Sequence, residues 1–233
     1  MLKVELHTHT SDDPQDRVLH SVSALVDRAA ELDYDALAIT LHDRQLDVGP
    51  LVPYAAERGI ILIPGIERTI EGRHVLLLNF PGGAEDVQSF ADVARLKQQA
   101  HGLVVAPHPF FPSGASLLGR MNRYADLFDA VEYHAMFTAS LNFNLLAERW
   151  ARRHGKPMVG NGDVHLLEQL GTTYSLVEAE RDPVSICAAI AAGRVRVVSR
   201  PLAWATAARI TASVIASSRS WPFRSPEPAP ASM

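Results

Sequence analysis

The stretch VELHTHTSDDP, residues 4–14, contains the first predicted strand and decides how the rest of the sequence is interpreted. Val4 and Leu6 are apolar and alternate with a glutamate, which is the pattern of a half-buried strand. His7 and His9 follow two residues apart, so both imidazoles point to the same face. A run of Thr, Ser and Asp residues comes next. The stretch therefore predicts a strand that brings two imidazoles to one point beside a group of carboxylates.

Short apolar runs alternate with helical patterns over most of the chain. DALAIT, LVVAP and PMVGN are predicted strands, whereas SVSALVDRAAEL and NFNLLAERWARRHG have helical spacing. Repeated alternation of strand and helix implies parallel strands joined by crossover helices. Seven or eight such units fit a closed or nearly closed barrel better than two domains. We therefore predict a single-domain α/β barrel.

Composition limits the classes of function that we consider. The chain has 233 residues, of which 47% are hydrophobic and 21% charged, so one domain can bury a large core. The net charge is -4 and no lysine-rich block or basic helix is present, so we expect neither nucleic acid nor a membrane surface as a main partner. No signal peptide is expected before the first strand. These observations predict a cytoplasmic protein.

The sequence changes character after about residue 200. LAWATAARITASVIA has the apolar spacing of a helix, which we place at 201–216, and we expect Trp204 to be packed. The stretch is too short for a typical membrane-spanning helix and contains Arg209. SSRSWPFRSPEPAPASM, residues 217–233, is rich in Ser and Pro and is predicted to be a disordered tail. The predicted division is thus a metal-binding barrel at 1–200, a helix and a tail.

Functional side chains of a parallel barrel gather at the carboxyl ends of its strands, and polar residues are concentrated near the ends of the predicted strands. Neutral imidazoles and carboxylates are ligands for zinc, manganese and iron. Carboxylates grouped without a cation would resist ionisation. The pattern therefore predicts a metal centre. The candidate positions are His7, His9, His42, Glu67, His74, His108, His134, Asp163 and His165.

Five motifs occur in order on predicted strands: HTHT, AITLHD, GIE, APHP and GNGDVH. Together they resemble the polymerase and histidinol phosphatase (PHP) superfamily, over roughly residues 3–200. The resemblance implies a distorted seven-stranded (β/α) barrel of the TIM-like kind. It also implies two or three divalent ions, such as zinc, manganese or iron, and hydrolysis of phosphate esters.

The resemblance assigns the metal ligands in three groups. For one ligand, an aspartate in the loop after the first strand, we choose Asp12, with Asp13 and Asp16 as alternatives. Leu41 stands where most members have an aspartate. That aspartate is usually a neighbour of the metal site rather than a ligand, so the difference affects the surroundings of the site. The three groups are His7, His9, Glu67 and Asp163; Glu67, His74 and His108; and His42, His165 and the loop aspartate.

Further residues are candidates for catalysis. His134 stands where many members carry Asn, so it is either a site residue or a core histidine. Arg44, Arg68 and Arg120 follow site motifs or lie in a nearby loop, where each is either a phosphate ligand or a solvated surface charge. We select Asp163, His134 and Arg44 as the catalytic candidates.

The charges favour an anionic substrate. Asp12, Glu67 and Asp163 carry three negative charges, so three divalent cations would leave an excess of about three positive charges. We expect an enzyme that hydrolyses a small phosphate ester, such as a nucleotide or a sugar or alcohol phosphate, with a metal-bound hydroxide. One alternative is an amidohydrolase-type metal-dependent hydrolase, although that family commonly uses a strand-borne lysine. The other is a non-catalytic metal-binding PHP domain.

Overall fold

A nine-stranded sheet forms the centre of the computed structural model, which describes residues 1–80 and 82–217. The strands are β1 (Leu2–Glu5), β2 (Ala36–Ile39), β3 (Ile61–Ile70), β4 (Arg73–Leu78), β5 (Leu103–Ala106), β6 (Ala130–His134), β7 (Met158–Asn161), β8 (Thr173–Val177) and β9 (Val195–Ser199). Hydrogen-bonded neighbours follow the order β7-β6-β5-β4-β3-β2-β1-β8-β9. Beyond β1 the sheet continues through β8 and β9, and both of these strands lie against β7, the strand at the other edge.

Not all strands are parallel. β1, β2 and β3 pair in parallel, as do β5, β6 and β7. β4 is antiparallel to β3 and β5, and β8 is antiparallel to β1 and β9. The expectation of uniformly parallel strands is therefore wrong at β4 and β8. At β4 the reason is the connection: only Glu71 and Gly72 join β3 to β4, both with positive φ, which makes a tight hairpin and leaves no room for a crossover.

Helices cover the outside of the barrel and lie at both of its ends. Buried side chains of α1 and α2 pack on the outer face of β2 and β3, and those of α3 and α5 pack near β4 to β6. Ser21, Ser89 and Asp182 each begin a helix by accepting a backbone N–H with the side chain. Among the described residues no helix is long and apolar enough to cross a membrane. The helices are α1 (Val22–Glu31), α2 (Val52–Ala56), α3 (Phe90–Gln99), α4 (Arg120–Arg123), α5 (Asn144–His154), α6 (Pro183–Ala191) and α7 (Trp204–Ser217).

Apolar side chains fill the interior of the barrel below its polar rim. Inward-facing residues of the strands form one buried cluster, which includes Ile186 and Cys187 of α6. Arg181, just before α6, bonds Asp35 and the carbonyl of Gly59, which precede β2 and β3. Therefore α6 lies at the amino-terminal end of the barrel, opposite the end where the polar groups gather.

The barrel closes at its carboxyl end between β1 and the segment after β7. The His9 N–H donates to the Val164 carbonyl and the Val164 N–H donates to the His7 carbonyl, each at 3.0 Å. Beside this bridge, the Ser175 hydroxyl bonds the N–H and the carbonyl of Gly160 at 2.9 and 3.1 Å. The sheet is thus a nearly closed, distorted barrel, which confirms the predicted α/β class.

The last described helix, α7, lies against the carboxyl end of the barrel. The Ser217 carbonyl accepts the Arg17 N–H at 3.0 Å, Arg209 pairs with Glu168, and Ile210 is buried. Trp204, predicted to be packed, is instead 59% exposed. At 100° per residue it lies about 120° around the helix from Ile210, so it does not share the buried face.

The predicted tail at 217–233, apart from Ser217 in α7, lies outside the described residues.

We predict that Gly160→Ala destabilises the fold because a Cβ atom there would lie 2.7 Å from the Tyr174 carbonyl oxygen, so backbone must move. Overpacking of this kind costs about 1–3 kcal/mol, or several degrees in Tm. Urea and thermal unfolding measure the loss. Gly119→Ala is the control, since that glycine has negative φ and open space around it. Equal stability of both variants would contradict the closure described above.

Candidate metal centre

Each of the strands β1 to β7 contributes to one polar cluster at the carboxyl end of the barrel. His7 and His9 follow β1, and Asp163 and His165 follow β7. His74 lies near the beginning of β4, yet it reaches the same end because β4 runs in the opposite direction. The remaining members are His42 after β2, Glu67 in β3, His108 after β5 and His134 at the end of β6.

Four side-chain atoms in this cluster point at a common centre. Their separations are 3.1 Å for His7 Nε2 to Glu67 Oε2 and 3.3 Å for His9 Nε2 to Glu67 Oε2. Asp163 Oδ1 lies 3.3 Å from each of the two Nε2 atoms. In a tetrahedral site with metal–ligand bonds of about 2.0–2.1 Å, ligand atoms lie about 3.3–3.4 Å apart. These four separations match the distance expected between neighbouring ligands of one metal ion, and all four atoms lie within 4.8 Å of one another.

The hydrogen-bonding state of these atoms supports the same conclusion. His7 Nε2, His9 Nε2 and Asp163 Oδ1 are buried and have no hydrogen-bond partner in the structure. Buried polar atoms are normally satisfied, because leaving one unpaired costs about 1–3 kcal/mol. Polar atoms that lie close together but do not hydrogen-bond to one another are expected where all of them are ligands of one cation. The residues present thus fit a bound divalent metal ion.

Glu67 lies between two groups of imidazoles. Its Oε2 atom faces His7 and His9, and also His42 Nε2 at 3.1 Å. Its Oε1 atom lies 2.7 Å from His74 Nδ1 and 3.1 Å from His108 Nε2. Only 1% of this residue is exposed. A carboxylate in this position can bridge two cations, one on each oxygen.

A third group lies beside the first, built around His42 and His165. The ligand atoms of His9, His42 and His165 lie within 4.8 Å of one another. The His165 Nε2 atom is 2.9 Å from Asp16 Oδ2, and Asp16 is buried. Burial opposes ionisation of Asp16, but the hydrogen bond with His165 lowers its pKa below the ordinary value. Asp16 is therefore the loop carboxylate that contacts His165, on its Nε2 atom.

The structure does not bring Asp12, our first choice for the loop ligand, into the cluster. Asp12 is exposed and accepts a hydrogen bond from Thr10. Asp13 turns inward, and its carboxylate accepts the backbone N–H groups of Gln15 and Asp16. The turn that these bonds create carries Asp16 back towards the barrel, a geometry that the order of residues alone does not specify.

Buried carboxylates hold the imidazoles from behind. Asp13 Oδ2 lies 2.9 Å from His9 Nδ1 and 3.0 Å from His42 Nδ1, and Glu132 Oε1 lies 2.9 Å from His7 Nδ1. An Nδ1–H that donates to a carboxylate leaves Nε2 free as the ligand atom and raises its basicity. These contacts fix three rings with Nε2 towards the centre.

Glu132 connects several parts of the site. Besides His7, it accepts the side-chain N–H of Asn161 at 3.0 Å and the backbone N–H of His108 at 2.6 Å. Glu5 has a related role on β1, where it accepts the Gly162 N–H at 2.9 Å, and burial raises its pKa to about 8. Sequence analysis missed both glutamates. The pattern that could have revealed them is a glutamate inside an apolar strand, since a buried acid needs a partner.

Gln169 fixes the turn that carries Asp163 and His165. Its amide nitrogen donates to the Asp163 carbonyl at 2.9 Å, and its oxygen accepts the His165 N–H at 3.0 Å. Asp163 itself has φ of 48°, a left-handed conformation that is uncommon outside glycine. A strained backbone held by a buried side chain is typical of a functional position. Gln169 also had no role in the sequence analysis.

His134 contacts the cluster through Asp163. The Met136 N–H donates to His134 Nδ1 at 3.0 Å, so the ring proton lies on Nε2. This Nε2 atom is 3.1 Å from Asp163 Oδ2, which leaves Asp163 Oδ1 directed at the metal position. His134 is thus a hydrogen-bond donor to Asp163, and its Nε2 is not free as a ligand atom.

The two central carboxylates are held ionised. Burial alone would raise the pKa of Glu67, but His74 and His7 hold it well below its ordinary value. Burial would likewise raise the pKa of Asp163, and His7 and His165 hold it well below the ordinary value. Both side chains are therefore charged and able to bind a cation at neutral pH.

The arginines that we considered for phosphate binding lie elsewhere. Arg44 is exposed and donates to the Asp12 carbonyl at 3.2 Å. Arg68 pairs with Asp43, and Arg120 lies near Glu71. Arg44, our catalytic candidate, is thus not brought to the cluster, because the loop after His42 turns its side chain outwards.

Comparison with known proteins supports the resemblance to the PHP superfamily. The family model described as PHP-associated matches residues 142–195. A two-domain protein from Bacteroides vulgatus, containing a predicted PHP-like metal-dependent phosphoesterase, is 19% identical with a TM-score of 0.65, and the match covers 92% of this chain and 70% of that one. PsfC from Pseudomonas syringae is 16% identical with a TM-score of 0.61, covering 91% of this chain and 95% of that one. No curated protein sequence matches significantly. The structural neighbours confirm the predicted fold, and the family-model match over residues 142–195 supports the resemblance to the PHP superfamily.

One expectation is corrected by the same comparisons. PfuEndoQ from Pyrococcus furiosus, a lesion-specific endonuclease, is 14% identical with a TM-score of 0.56 and matches over 90% of this chain and 66% of that one. A second neighbour is endonuclease Q bound to a duplex with an abasic lesion. Net charge and the lack of a basic block led us to expect that nucleic acid is not a main partner, and these two neighbours contradict that expectation. Cations bound at a metal site would supply positive charge that a count of charged side chains does not include.

We predict that Glu132→Gln lowers metal affinity about 10–100-fold, because the amide removes the charge behind His7 while keeping the size of the side chain. Competition with a chromogenic chelator measures the affinity. Asp43→Asn is the matched control: Asp43 follows His42 but bonds Gln15, Arg68 and the Thr69 N–H. An equal loss in both variants would show that Glu132 has no special role.

Proposed function

We propose that this chain, whose sequence motifs and fold resemble the PHP superfamily, is a metal-dependent phosphoesterase that hydrolyses an alcohol phosphate at a multinuclear centre. The observation that carries the proposal is the convergence of His7 Nε2, His9 Nε2, Glu67 Oε2 and Asp163 Oδ1 with 3.1–3.3 Å contacts among them. The four atoms come from residues after β1, in β3 and after β7, so segments that are distant in sequence assemble this group.

Three ions would be held by nine side chains. Zinc, manganese and iron all suit this mixture of imidazole and carboxylate ligands. The carboxylates Asp16, Glu67 and Asp163 contribute three negative charges, so three divalent ions leave about three positive charges for an anion. The proposed ligands are His7, His9, Glu67 and Asp163 for the first ion, Glu67, His74 and His108 for the second, and Asp16, His42 and His165 for the third.

The chain's own residues prepare the site for hydrolysis. When bound, divalent ions supply positive charge to phosphate oxygens and lower the pKa of water. Glu67 fixes the spacing of the first two ligand groups through its two oxygens. Asp163 holds Oδ1 at the first group while His134 donates to Oδ2, so this carboxylate can bind and also accept a proton. We propose His134 as a positioning residue for Asp163.

The two alternatives differ from this proposal in specific residues. An amidohydrolase of the kind considered above commonly uses a lysine at a strand end, and no lysine belongs to the described cluster. A non-catalytic domain would be expected to lack ligands, whereas the four atoms at the first position are in place. Hydrolysis of phosphate esters, tested beside carboxylic esters and amides, separates the three possibilities.

The first test is metal content together with phosphatase activity. Protein purified without chelator should contain more than one transition-metal ion per chain by elemental analysis, because the centre offers three ligand groups. It should hydrolyse p-nitrophenyl phosphate, lose activity after chelator treatment and regain it with zinc or manganese. Less than about a tenth of an equivalent of metal, with no uptake on reconstitution, would rule out the proposed centre.

The second test is Asp163→Asn, which keeps one oxygen and removes the charge. We expect kcat to fall about a hundredfold or more, equivalent to about 3 kcal/mol of barrier, while the fold survives. Steady-state kinetics with circular dichroism measure both quantities. Asp43→Asn again serves as the control, because its carboxylate bonds Arg68 and Thr69 outside the cluster. Small and equal losses would favour the non-catalytic alternative.

A further inference from the structure

A large cavity opens directly above the proposed metal ligands. Its volume is about 910 Å³, which lies within the usual range for small-molecule sites. Glu67, His108 and Asp163 are among the residues at its base. The cavity and the metal centre are therefore one continuous space, and a substrate with its phosphate at the ions must place its remaining part here.

The walls of this cavity are mainly apolar. The segments after β5 and β6 contribute aromatic and aliphatic side chains, including Phe111, Met136 and Phe143. The Phe111 ring lies 4.6 Å from the His134 ring, so the apolar surface extends to the edge of the polar cluster. On the opposite side α7 presents small and apolar residues, among them Val214 and Ile215.

The helix α7 is attached to the barrel at both ends and in its middle. The Leu202 N–H, just before the helix, donates to the Phe137 carbonyl at 2.9 Å, and the Ser217 carbonyl at its end accepts the Arg17 N–H. Between these ties Ile210 is 98% buried, since only 2% of it is exposed. The apolar wall is thus part of the folded barrel.

Among the described residues that line the cavity there is no Lys or Arg to bind a second anion. Arg44, Arg68 and Arg120, the nearest candidates by sequence, bond other groups. Most of the other polar side chains in the lining already form hydrogen bonds within the protein, which leaves little to bind the hydroxyl groups of a sugar. These side chains are Gln15, Ser113, Thr138 and Gln169, with Thr211 as a further polar residue.

We infer that the alcohol part of the substrate is apolar, so that this site takes an aryl or medium-length alkyl phosphate ester. The inference rests on the proposed function and names its substrate class. It departs from our expectation of a nucleotide or sugar phosphate. One phosphate monoester dianion together with one hydroxide offsets the excess of about three positive charges, so no second anionic group is needed. An apolar group gains free energy by leaving water for the cavity.

The test uses n-alkylphosphonates as non-hydrolysable inhibitors of p-nitrophenyl phosphate hydrolysis by the metal-loaded protein. All members of the series from ethyl to octyl carry the same head group, so only the buried apolar surface changes. Ki should fall about two- to fourfold for each added methylene until the cavity is filled. A Ki that does not depend on chain length would overturn the inference and leave the phosphoesterase standing. No hydrolysis of any phosphate ester would overturn the proposed function as well.

Binding can also be followed without catalysis. Trp204 lines the mouth of the cavity, so octylphosphonate should change its fluorescence, and the change should disappear in Trp204→Phe. An unchanged response in that variant would place the ligand elsewhere and overturn the assignment.

Two exposed lining residues serve for substitution, since changing them should not unfold the protein. Leu141→Asn and Ile215→Asn, at positions 46% and 41% exposed, should each reduce the ratio of ethyl to octyl Ki about threefold or more. Val184→Asn is the control, at an exposed position on α6 outside the cavity, and should leave the ratio unchanged. A ratio unaffected by both lining substitutions would contradict the inference. So would faster cleavage of an abasic DNA duplex than of every aryl or alkyl phosphate.

Discussion

The buried carboxylate of Glu67 is the contact on which the whole centre depends. Five imidazole nitrogens lie 2.7–3.3 Å from its two oxygens. They come from β1, β2, β4 and β5, while Glu67 itself lies in β3. One oxygen cannot satisfy three imidazoles by hydrogen bonding alone. The strands of the barrel therefore bring imidazoles to one carboxylate. Cations bound between these groups would supply the contacts that hydrogen bonds alone do not provide.

Several buried polar side chains around the cluster fix the proposed metal ligands by hydrogen bonds. Asp13 supports two imidazoles, Glu132 supports His7 and the backbone of His108, and Gln169 supports the turn of Asp163. A buried network of this kind is stable only when nearly every member is bonded. His7 Nε2, His9 Nε2 and Asp163 Oδ1 are buried atoms of this region without a hydrogen-bond partner. They mark the position where a ligand from outside the chain would bind.

The sequence predicted the barrel and the proposed ligands on strands, because strand ends meet at one rim whatever the details of the loops. It did not predict the direction of β4, which a two-residue turn determines, nor the exposure of Trp204, because apolar spacing does not reveal which side of a helix is covered. Choosing among Asp12, Asp13 and Asp16 needed the folded loop, in which Asp13 bonds two backbone N–H groups. Glu5, Glu132 and Gln169 escaped notice because their partners are distant in sequence.

The bridge between the first strand and the segment after β7 has a consequence for how the protein matures. Glu5 and Gly162, which bond each other beside this bridge, are 157 positions apart in sequence. A chain emerging from the ribosome amino-terminus first, at about 5–20 residues per second, carries His7 and His9 for several seconds before Asp163 exists. During that time the two imidazoles can bind metal only weakly and without selection by geometry. Selection among metal ions by geometry would therefore begin only when the barrel has closed and Asp163 has joined the two imidazoles.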